Sequence, residues 1–374
     1  MNKPGLIIII PTRGRISLLK ELLSSIFQDA TSTNFPVEVL LIDDSIESDQ
    51  EQLKKIANEY GATVLLGESH VGGKRNFGVM NAAYDIVLFL DSDITIHNGT
   101  LKAHYDKLHE NSNPMVAGCL GQVNFVGRTT FAWEVISEMQ LTLPFSYPKV
   151  ADVVPWGPTA NISFRKDIFL QFNGFDKTLP KYGGEDVDLG LRMTRLRYEI
   201  VTSRDASADH STETWNSWKQ NIRRVFLFGL ADYHLLIRHK DKSFLDFPSE
   251  PILLSLQIFT CCILSIFSAK TNIPCFVIAL FISGCTYHLV YALIKKRGES
   301  KLSVHLFGPL IFYIMDLAKS IEAVKNRKFS LVFRRIKFMD DLISQDWNEI
   351  AASAWGLTSS AIVFFGIILL VLFY

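Results

Sequence analysis

The sequence has no excess of charge of either sign and little cysteine. Its 38 basic and 38 acidic residues give a formal net charge of zero over 374 residues, so composition gives no reason to expect binding to nucleic acid. Of the five cysteines, Cys119 stands alone in the charged part of the chain, and the other four lie in apolar stretches. Neither a disulfide framework nor a cysteine-based metal site is expected from this spacing.

The sequence also lacks a signal peptide, internal repeats and low-complexity tracts. The apolar run Leu6–Ile10 is too short for the hydrophobic region of a signal peptide and continues directly into Pro11. We therefore expect the N-terminal part to stay in the cytoplasm, where it is made. At 374 residues the chain is too long for one ordinary compact domain.

Composition changes near residue 250. Residues 1–247 are mixed and charged, as in a soluble α/β protein, whereas three uncharged apolar runs follow: Ile252–Ser268, Ile273–Ile294 and Ala351–Tyr374. A bilayer span needs about 20 apolar residues, which the last two runs provide and the first nearly provides. Buried core helices would show the same composition, but we predict three membrane spans in a C-terminal region covering residues 248–374.

Two further features bear on membrane topology. The stretch Val304–Ala318 contains Pro309 and ends in charged residues, so it could be a short span or, as we prefer, an interfacial helix. Basic residues follow the second apolar run and precede the third: Lys295, Lys296, Arg297, Lys301, Arg327, Lys328, Arg334, Arg335 and Lys337. The positive-inside rule makes this loop cytoplasmic. We therefore expect a multi-pass protein of the cell (plasma or inner) membrane, with a cytoplasmic N-terminal domain and an outside C-terminus.

Strands and helices alternate along the first hundred residues. Predicted strands are Gly5–Ile10, Val37–Ile42, Ala62–Leu66 and Ile86–Leu90, separated by helices at Ile16–Phe27, Asp49–Tyr60 and Gly72–Ala83. This alternation predicts an α/β fold with a mostly parallel sheet and right-handed crossovers. After Thr100 it loosens, with strands expected at Met115–Asn124, Ile162–Arg165 and Glu199–Ser203 and a helix at Glu185–Leu196.

The region Thr212–Leu236 is predicted to be helical. It carries Trp215 and Trp218 beside Arg223 and Arg224. Aromatic and basic residues on a helix that precedes a membrane span suit a position at the membrane interface.

The run Ile86–Asp93 ends abruptly in two carboxylates, Asp91 and Asp93. A short apolar run of this kind is typical of a buried parallel strand, and ligands gather outside the carboxyl ends of such strands. If the extended backbone continues through Ser92, both carboxylates lie on the same side. They could then hold one divalent cation that bridges to a ligand phosphate. The alternative is an acidic turn that caps the helix expected near Thr100.

Three more loops carry polar residues near the starts or ends of these elements: Pro11-Thr12-Arg13-Gly14-Arg15, Asp43-Asp44 and Gly72-Gly73-Lys74-Arg75-Asn76. In the last loop, free N–H groups at a helix start and two cations favour phosphate. Each loop by itself could be a turn, a pair of helix caps or a flexible connection. Because they follow one another on consecutive elements, we predict a shared site for a nucleoside diphosphate.

The order of these motifs resembles that of the inverting family 2 glycosyltransferases with the GT-A fold. The motifs read Pro-Thr-x-x-Arg, Asp-Asp-Ser, Gly-x-x-Asn-x-Gly and Phe-Leu-Asp-x-Asp. Later stretches continue the resemblance: Gly157–Arg165, Asn173-Gly174-Phe175-Asp176 and Gly183-Gly184-Glu185-Asp186-Val187-Asp188-Leu189. The resemblance covers roughly residues 5–235 and implies a nucleotide-sugar donor bound by the first half and an acceptor by the second.

The resemblance also implies roles for individual residues. In this pattern Asp43 and Asp44 contact the base and ribose, Arg75 lies near the nucleotide, and Asp91 and Asp93 hold Mg²⁺ or Mn²⁺ on the diphosphate. Further candidates for binding the nucleotide sugar are Pro11, Thr12, Arg15, Lys74, Ser92, Trp156 and Glu185. Trp156 could stack on a sugar or nucleobase, or could simply belong to the core.

Asp186 occupies the position of the catalytic base in this pattern. Inversion in one displacement needs a base that deprotonates the acceptor hydroxyl and a cation that neutralises the departing diphosphate. Glu185 adds like charge, which would raise the pKa of one carboxylate. The alternative is that Glu185, Asp186 and Asp188 only complement a helix N-terminus. His210 could complete the metal site or contact the leaving phosphates, or it could be a structural histidine.

The expected acceptor is a glycan, plausibly a lipid-linked one, at the cytoplasmic membrane face. Gln220-Asn221-Ile222-Arg223-Arg224 nearly matches the Gln-x-x-Arg-Trp motif of processive polysaccharide synthases, but Arg224 replaces the tryptophan. We therefore prefer a single-addition enzyme over a processive synthase. A non-catalytic membrane scaffold that binds a sugar nucleotide is the alternative of another class, and the presence of Asp91, Asp93 and Asp186 counts against it.

Overall fold

The computed structural model describes residues 3–180, 183–245, 250–267, 273–295, 301–338 and 347–373. Lys296 and Arg297 of the predicted basic loop lie outside the described residues, as do the predicted span ends Ser268 and Tyr374. The chain divides into two compact units. Unit 1 is Met1–Thr129, Thr142–Ser217 and Phe338–Leu342, and unit 2 is Thr130–Leu141, Trp218–Lys337 and Ile343–Tyr374. The sequence predicts a single boundary near residue 247, whereas these units interleave along the chain.

Strands and helices of the described residues are numbered in chain order. The strands are β1 (Lys3–Thr12), β2 (Val37–Asp43), β3 (Thr63–Leu66), β4 (Tyr84–Leu90), β5 (Ile94–Ile96), β6 (Val116–Val126), β7 (Val153–Val154), β8 (Asn161–Arg165), β9 (Glu199–Ser211), β10 (Ser243–Leu245) and β11 (Arg334–Ile336). The helices are α1 (Ile16–Ala30), α2 (Glu47–Glu59), α3 (Val71–Met80), α4 (Thr100–His109), α5 (Phe131–Glu138), α6 (Lys166–Gln171), α7 (Glu185–Arg195), α8 (Trp218–Arg238), α9 (Glu250–Phe267), α10 (Ile273–Lys295), α11 (Leu302–Lys325) and α12 (Trp347–Phe373).

Unit 1 is built on one large mixed sheet with the strand order β3-β2-β1-β4-β8-β6-β9-β5. β3, β2, β1 and β4 run parallel, as predicted from the alternation of strands and helices. β8 is antiparallel to both β4 and β6, while β6 pairs with β9 in parallel. The mixed second half of the sheet corresponds to the region where the sequence alternation loosens.

The core of unit 1 lies on both faces of β1. Leu6, Ile8 and Ile10 share one buried cluster with apolar residues of α1. On the other face, Ile9 approaches α3 at Gly78, where a Cβ atom would lie 2.5 Å from Ile9 Cγ2. Because both faces are covered, every residue from Leu6 to Ile10 is fully buried, which explains the uninterrupted apolar run.

Two local expectations around the Asp91 motif are wrong. β4 ends at Leu90, and Ser92 and Asp93 form a turn rather than a continued extended strand. The carboxylates do not cap α4 either. Asp29 of α1 accepts hydrogen bonds from the N–H groups of Gly99 and Leu101 at the start of that helix, and it is nearly fully buried.

Unit 2 contains the apolar helices. By length and composition, one helix in the described part of the chain, α11, could cross a membrane. It includes Val304–Ala318, for which the sequence favours an interfacial helix. Shorter apolar helical stretches lie at Val277–Val290 and Trp355–Leu370, inside two of the predicted spans. The three-span arrangement stays a prediction.

Unit 2 also contains a buried ionic network. Both carboxylate oxygens of Asp316 on α11 are engaged: Oδ1 accepts from Lys319 Nζ at 2.8 Å and Oδ2 from Arg335 Nη2 at 2.7 Å. Lys319 Nζ also donates to the Arg334 carbonyl oxygen at 3.0 Å. Asp316 and Lys319 are almost completely buried, so the network ties α11 to β11.

Candidate active site

The carboxyl ends of β1, β2 and β4 lie at one edge of the unit 1 sheet, because these strands are parallel neighbours. Thr12 is in register with Asp43, and Pro11 with Ile42. The edge therefore brings together the loops in which the sequence predicts a nucleoside-diphosphate site.

Three candidate metal ligands converge beside this edge. Asp91, Asp93 and His210 each offer a ligand atom, and these atoms lie within 4.8 Å of one another. His210 is on β9, where it pairs with Ile94 of β5. The sequence suggested Asp91 and Asp93 from their spacing, but only the fold shows that residue 210 joins them.

The imidazole of His210 is oriented for metal binding. Its Nδ1 lies 2.9 Å from the Ser211 carbonyl oxygen, and since a carbonyl only accepts, Nδ1 must carry the hydrogen. In the neutral ring Nε2 then keeps its lone pair, and it lies 3.5 Å from Asp93 Oδ1. Two carboxylates and an imidazole are a suitable donor set for a divalent cation.

Aromatic rings surround His210, and the sequence did not identify them as part of the site. The ring centroids of Phe125, Phe145 and Trp215 lie 5.0, 6.0 and 6.3 Å from that of His210. The predicted single helix at Thr212–Leu236 is in fact a 3-10 turn at Thr212–Trp215 followed by α8. Trp215 is therefore buried in unit 1 beside His210 rather than placed on an interfacial helix.

Two arginines contact the candidate metal carboxylates. Arg15 Nη1 donates to Asp93 Oδ2 at 2.8 Å. Arg75 donates to Asp91 Oδ1 at 2.8 Å and to Glu185 Oε1 at 2.9 Å. Among the described residues, Arg75 Nε and Glu185 Oε2 are buried without a hydrogen-bond partner. Unpaired buried polar atoms are rare in proteins, which makes these two candidates for contact with a ligand.

Asp43 joins the loops that follow β1 and β2. Its carboxylate accepts hydrogen bonds from Thr12 Oγ1 at 2.9 Å, from Ser45 Oγ at 2.6 Å and from Ser45 N at 3.0 Å. Asp43 is only 1% exposed. Ser45, which we had not proposed as a site residue, is thus a main partner of Asp43. Contact of Asp43 with a base or ribose stays a prediction.

Lys74 joins the same two loops from α3. Its Nζ donates to the Thr12 carbonyl oxygen and to Asp44 Oδ1. Burial lowers the pKa of Lys74, and the contact with Asp44 opposes that shift. At the start of α3, Gly73 N donates to His70 Nδ1 at 3.2 Å. The N–H group of Gly73 is therefore already paired, and a phosphate contact of the glycine loop stays a prediction.

Glu185 and Asp186 begin α7 after two glycines in the left-handed conformation. Gly183 and Gly184 have φ of 93° and 89°, values that residues other than glycine rarely adopt. Burial raises the pKa of Asp186 to about 7, and the charge of Glu185 adds to the shift. A carboxylate with this pKa is suited to accept a proton near neutral pH.

Asp188 has a structural role in the observed geometry. It is 1% exposed and accepts from Arg192 Nε at 2.8 Å. Arg192 in turn donates to the carbonyl oxygens of Phe172 and Gly174. Asp188 thereby fixes α7 to the turn at Asn173-Gly174.

Two asparagines of the sequence motifs also hold the scaffold. Asn76 of α3 exchanges hydrogen bonds with both backbone groups of Phe175, at 2.7 and 2.9 Å. Asn161 donates to the Ala206 carbonyl oxygen at 2.9 Å, and its Oδ1 lies 2.9 Å from His104 Nε2. Burial lowers the pKa of His104 to about 4, so this histidine is neutral and takes no part in charge chemistry at pH 7.

Trp156 and Ser92 are buried. Trp156 Nε1 donates to the Phe338 carbonyl oxygen at 3.0 Å, and its ring packs on Tyr147 and Phe338. This arrangement favours the core alternative, and a contact of Trp156 with sugar or base stays a prediction.

In unit 2, the segment resembling the processive-synthase motif lies on α8, where Arg224 Nη1 donates to Asn221 Oδ1 at 2.8 Å.

Family comparisons agree with this geometry. Residues 7–163 match the model of glycosyl transferase family 2, and residues 156–213 match a model described as the N-terminal domain of galactosyltransferase. The two matches together cover the strands and helices that carry Asp43, Asp91, Asp186 and His210.

Individual relatives are distant. The chain is 27% identical over 248 residues to a pre-mycofactocin glycosyltransferase of Mycobacterium tuberculosis, covering 63% of this chain and 48% of the relative. It is 23% identical over 180 residues to a probable N-acetylgalactosaminyltransferase 9 of Caenorhabditis elegans, covering 41% and 30%. The chain thus spans about half the length or less of these curated relatives.

A solved structure shares the fold. A mannosyltransferase of Pyrobaculum calidifontis, solved in complex with GDP-Man and Mn²⁺, has a TM-score of 0.52 and 16% identity, covering 87% of this chain and 88% of the other. This likeness shows the fold. Residues 7–163 match the glycosyl transferase family 2 model, and the fold is GT-A-like.

Proposed function

We propose that the protein is an inverting glycosyltransferase that moves a sugar from a nucleoside-diphosphate donor to an acceptor at a membrane. The observation that carries the proposal is the convergence of Asp91, Asp93 and His210 at the sheet edge that also holds the buried Arg75–Glu185 pair. Such a site can hold a cation, a diphosphate and a sugar side by side.

Donor binding is supported by the chemistry of the unpaired atoms. Arg75 Nε is a donor and Glu185 Oε2 an acceptor, and both are buried without a partner in the described part of the chain. A sugar hydroxyl both donates and accepts, so it can satisfy either group. The Pyrobaculum mannosyltransferase binds GDP-Man, which supports a nucleotide sugar as donor here without deciding its base or sugar.

Asp91, Asp93 and His210 would hold Mg²⁺ or Mn²⁺, which supplies positive charge for the departing diphosphate when bound. Asp186 would take the proton of the attacking acceptor hydroxyl. Its raised pKa suits that role, because a base is most effective when its pKa lies near the working pH.

Anchoring in a membrane is supported by unit 2. The length and composition of α11 would allow it to cross a membrane. In addition, the other helices of unit 2 leave large apolar side chains exposed. Phe259, Phe281 and Trp355 are 62, 71 and 63% exposed. Extensive apolar surface of this kind marks contact with a membrane or a partner, and the long uncharged runs within α9, α10 and α12 favour lipid. A lipid-linked glycan is therefore the acceptor class we propose.

The experiment is a donor panel on the full-length protein purified in detergent. Release of UDP or GDP is measured from UDP- and GDP-sugars, with Mn²⁺, with Mg²⁺ and with excess EDTA, in the presence and absence of a polyprenyl-diphosphate-linked glycan. We expect release from one donor class, dependent on a divalent cation and stimulated by the lipid.

Variants make this experiment specific to the site. Asp93→Ala should abolish cation-dependent release, while Glu59→Ala, at an exposed pair with Lys20 on the surface, should not change it. Full activity of Asp93→Ala in excess EDTA would remove the metal from the proposal. Absence of release from every donor would remove the activity itself.

A further inference from the structure

Arg15 and Arg75 hold the two candidate metal carboxylates in different ways. Arg75 is 3% exposed and bridges Asp91 to Glu185. The Arg15 side chain is 48% exposed, and its hydrogen-bond and ion-pair partner among the described residues is Asp93. The first arginine is thus fixed from two sides, whereas the second can leave Asp93 by rotation of a largely solvated side chain.

A cation and Arg15 compete for Asp93. Arg15 holds Asp93 Oδ2, whereas Oδ1 faces His210 Nε2 at 3.5 Å. The guanidinium draws charge from the carboxylate that a metal would use, and its positive charge repels a second cation at this short range. A diphosphate offers Arg15 an alternative partner to Asp93, because it supplies several oxygens that a guanidinium binds in forked geometry. Asp93 is then free to bind the cation.

We propose that Arg15 is an exchangeable counter-ion, which holds Asp93 in the ligand-free protein and transfers to the donor's diphosphate when the metal binds. The cation and the nucleoside diphosphate then bind with positive coupling, and Arg15 is a positioning residue for both. This inference rests on the proposed function, since it assumes that the site takes a nucleoside diphosphate.

The position of Arg15 favours this role. It precedes α1 with φ of 56°, at the end of the loop that leaves β1, so its backbone stays attached to the sheet edge while its side chain is free to turn. Arg13, two residues earlier in the same loop, faces a different carboxylate: it lies 3.6 Å from Asp44 and its side chain is 59% exposed.

The test measures binding rather than turnover. Full-length protein is titrated with MnCl₂, and free Mn²⁺ is followed by electron paramagnetic resonance, alone and with saturating UDP or GDP, corrected by protein-free titrations. The variant is Arg15→Asn, because asparagine tolerates positive φ. Lys20→Gln on α1, which removes one positive charge from an exposed pair with Glu59, is the control.

In the wild type we expect UDP or GDP to tighten Mn²⁺ binding by about fivefold or more. Arg15→Asn should bind Mn²⁺ alone about two to five times more tightly, the range of a solvated ion pair. Its coupling to the nucleotide should fall several-fold, while Lys20→Gln changes neither quantity. Arg15→Lys, which restores the charge, should return the affinity for Mn²⁺ alone toward the wild-type value.

Three outcomes would overturn the inference. Weaker Mn²⁺ binding by Arg15→Asn would show that Arg15 builds the metal site. Unchanged coupling with tighter Mn²⁺ binding would show simple repulsion without transfer to the diphosphate. In both cases nucleotide binding stands and the proposed function survives. If neither nucleotide binds the wild type, the proposed function fails together with the inference.

Discussion

Each unit of this protein buries an ionic network, and the two networks differ in how completely the buried carboxylate is paired. In unit 2, both oxygens of Asp316 accept hydrogen bonds from cations. In unit 1, Glu185 Oε1 accepts from Arg75, whereas Glu185 Oε2 has no hydrogen-bond partner among the described residues. Asp91, which contacts the same arginine, is 33% exposed.

The difference separates a structural network from a binding site. A closed network of buried charges stabilises one arrangement of the elements that carry it, and removal of one partner is costly. A network with unused donors and acceptors is incomplete without a ligand. Charge and burial alone would not distinguish the two, since both units bury acids and bases.

The comparison is tested most strongly by the chemistry of unit 1. Asp186→Asn keeps the size of the side chain but cannot take a proton at neutral pH, so transfer should slow by about 10² to 10⁴. Donor binding should change little, because Asp186 is assigned to the acceptor. Transfer rate and donor binding by calorimetry are measured side by side. Loss of donor binding in proportion to rate would make Asp186 a structural residue.

Unit 2 should respond in stability. Asp316→Ala leaves the buried Lys319 without its carboxylate partner and removes the ion pair with Arg335, whose side chain is 33% exposed. The free energy of unfolding should fall by about 3 to 5 kcal/mol. Glu322→Ala removes an ion pair with Lys325, whose side chain is 72% exposed. It should lower the free energy of unfolding by about 1 kcal/mol at most. Urea unfolding in detergent measures both. Equal effects would mean that the Asp316 network is not structural.

The pH profile gives a smaller effect. Burial raises the pKa of Asp186 to about 7, and Glu185 adds to the shift. The base form is lost as the pH falls through this value, so kcat/KM should fall about tenfold for each pH unit below about 6. Measurement at saturating Mn²⁺ from pH 5.5 to 8.5 checks this. A flat profile across that range would remove Asp186 as the titrating base.

The last predicted effect is a gain in stability. The pKa of Asp186 is about 7 in the fold against an ordinary value of 3.8, so at pH 8 the ionised form is disfavoured in the fold. Asp186→Asn should therefore raise the free energy of unfolding by on the order of a few kcal/mol at pH 8, and most of the gain should be lost near pH 4. Thermal unfolding at both pH values measures it. Asp188→Asn, which loses its pair with Arg192, should destabilise instead.

Much of unit 1 could be predicted from sequence, because its first half is governed by local patterns. The uniformly apolar run at Leu6–Ile10 and the helical periodicity of α1 follow directly from burial on a parallel sheet. The acid pair at Asp91 and Asp93 could be predicted as a site because it follows an apolar run of the same kind, although the backbone between the two residues is a turn. The helix beginning at Glu185 was also predicted, whereas the positive φ of Gly183 and Gly184 before it is a finding of the structure.

Other features depend on groups that meet across long sequence distances. His210 reaches Asp93 only because β9 pairs with β5, and Asp29 caps a helix that begins at Thr100. Trp215 was expected on an interfacial helix but lies beside His210. No local pattern contains these contacts, since each depends on the order of strands in the sheet.

The sequence by itself determined the alternation of strands and helices in the first half, the apolar helices of the second, and the residue types of a nucleotide-sugar site. These properties depend on neighbours along the chain, through backbone periodicity and the burial of apolar side chains. Only the tertiary structure decided which charges are paired. Arg75 meets Glu185 across 110 residues and Arg15 meets Asp93 across 78, because electrostatic pairing depends on distance in space and not along the chain.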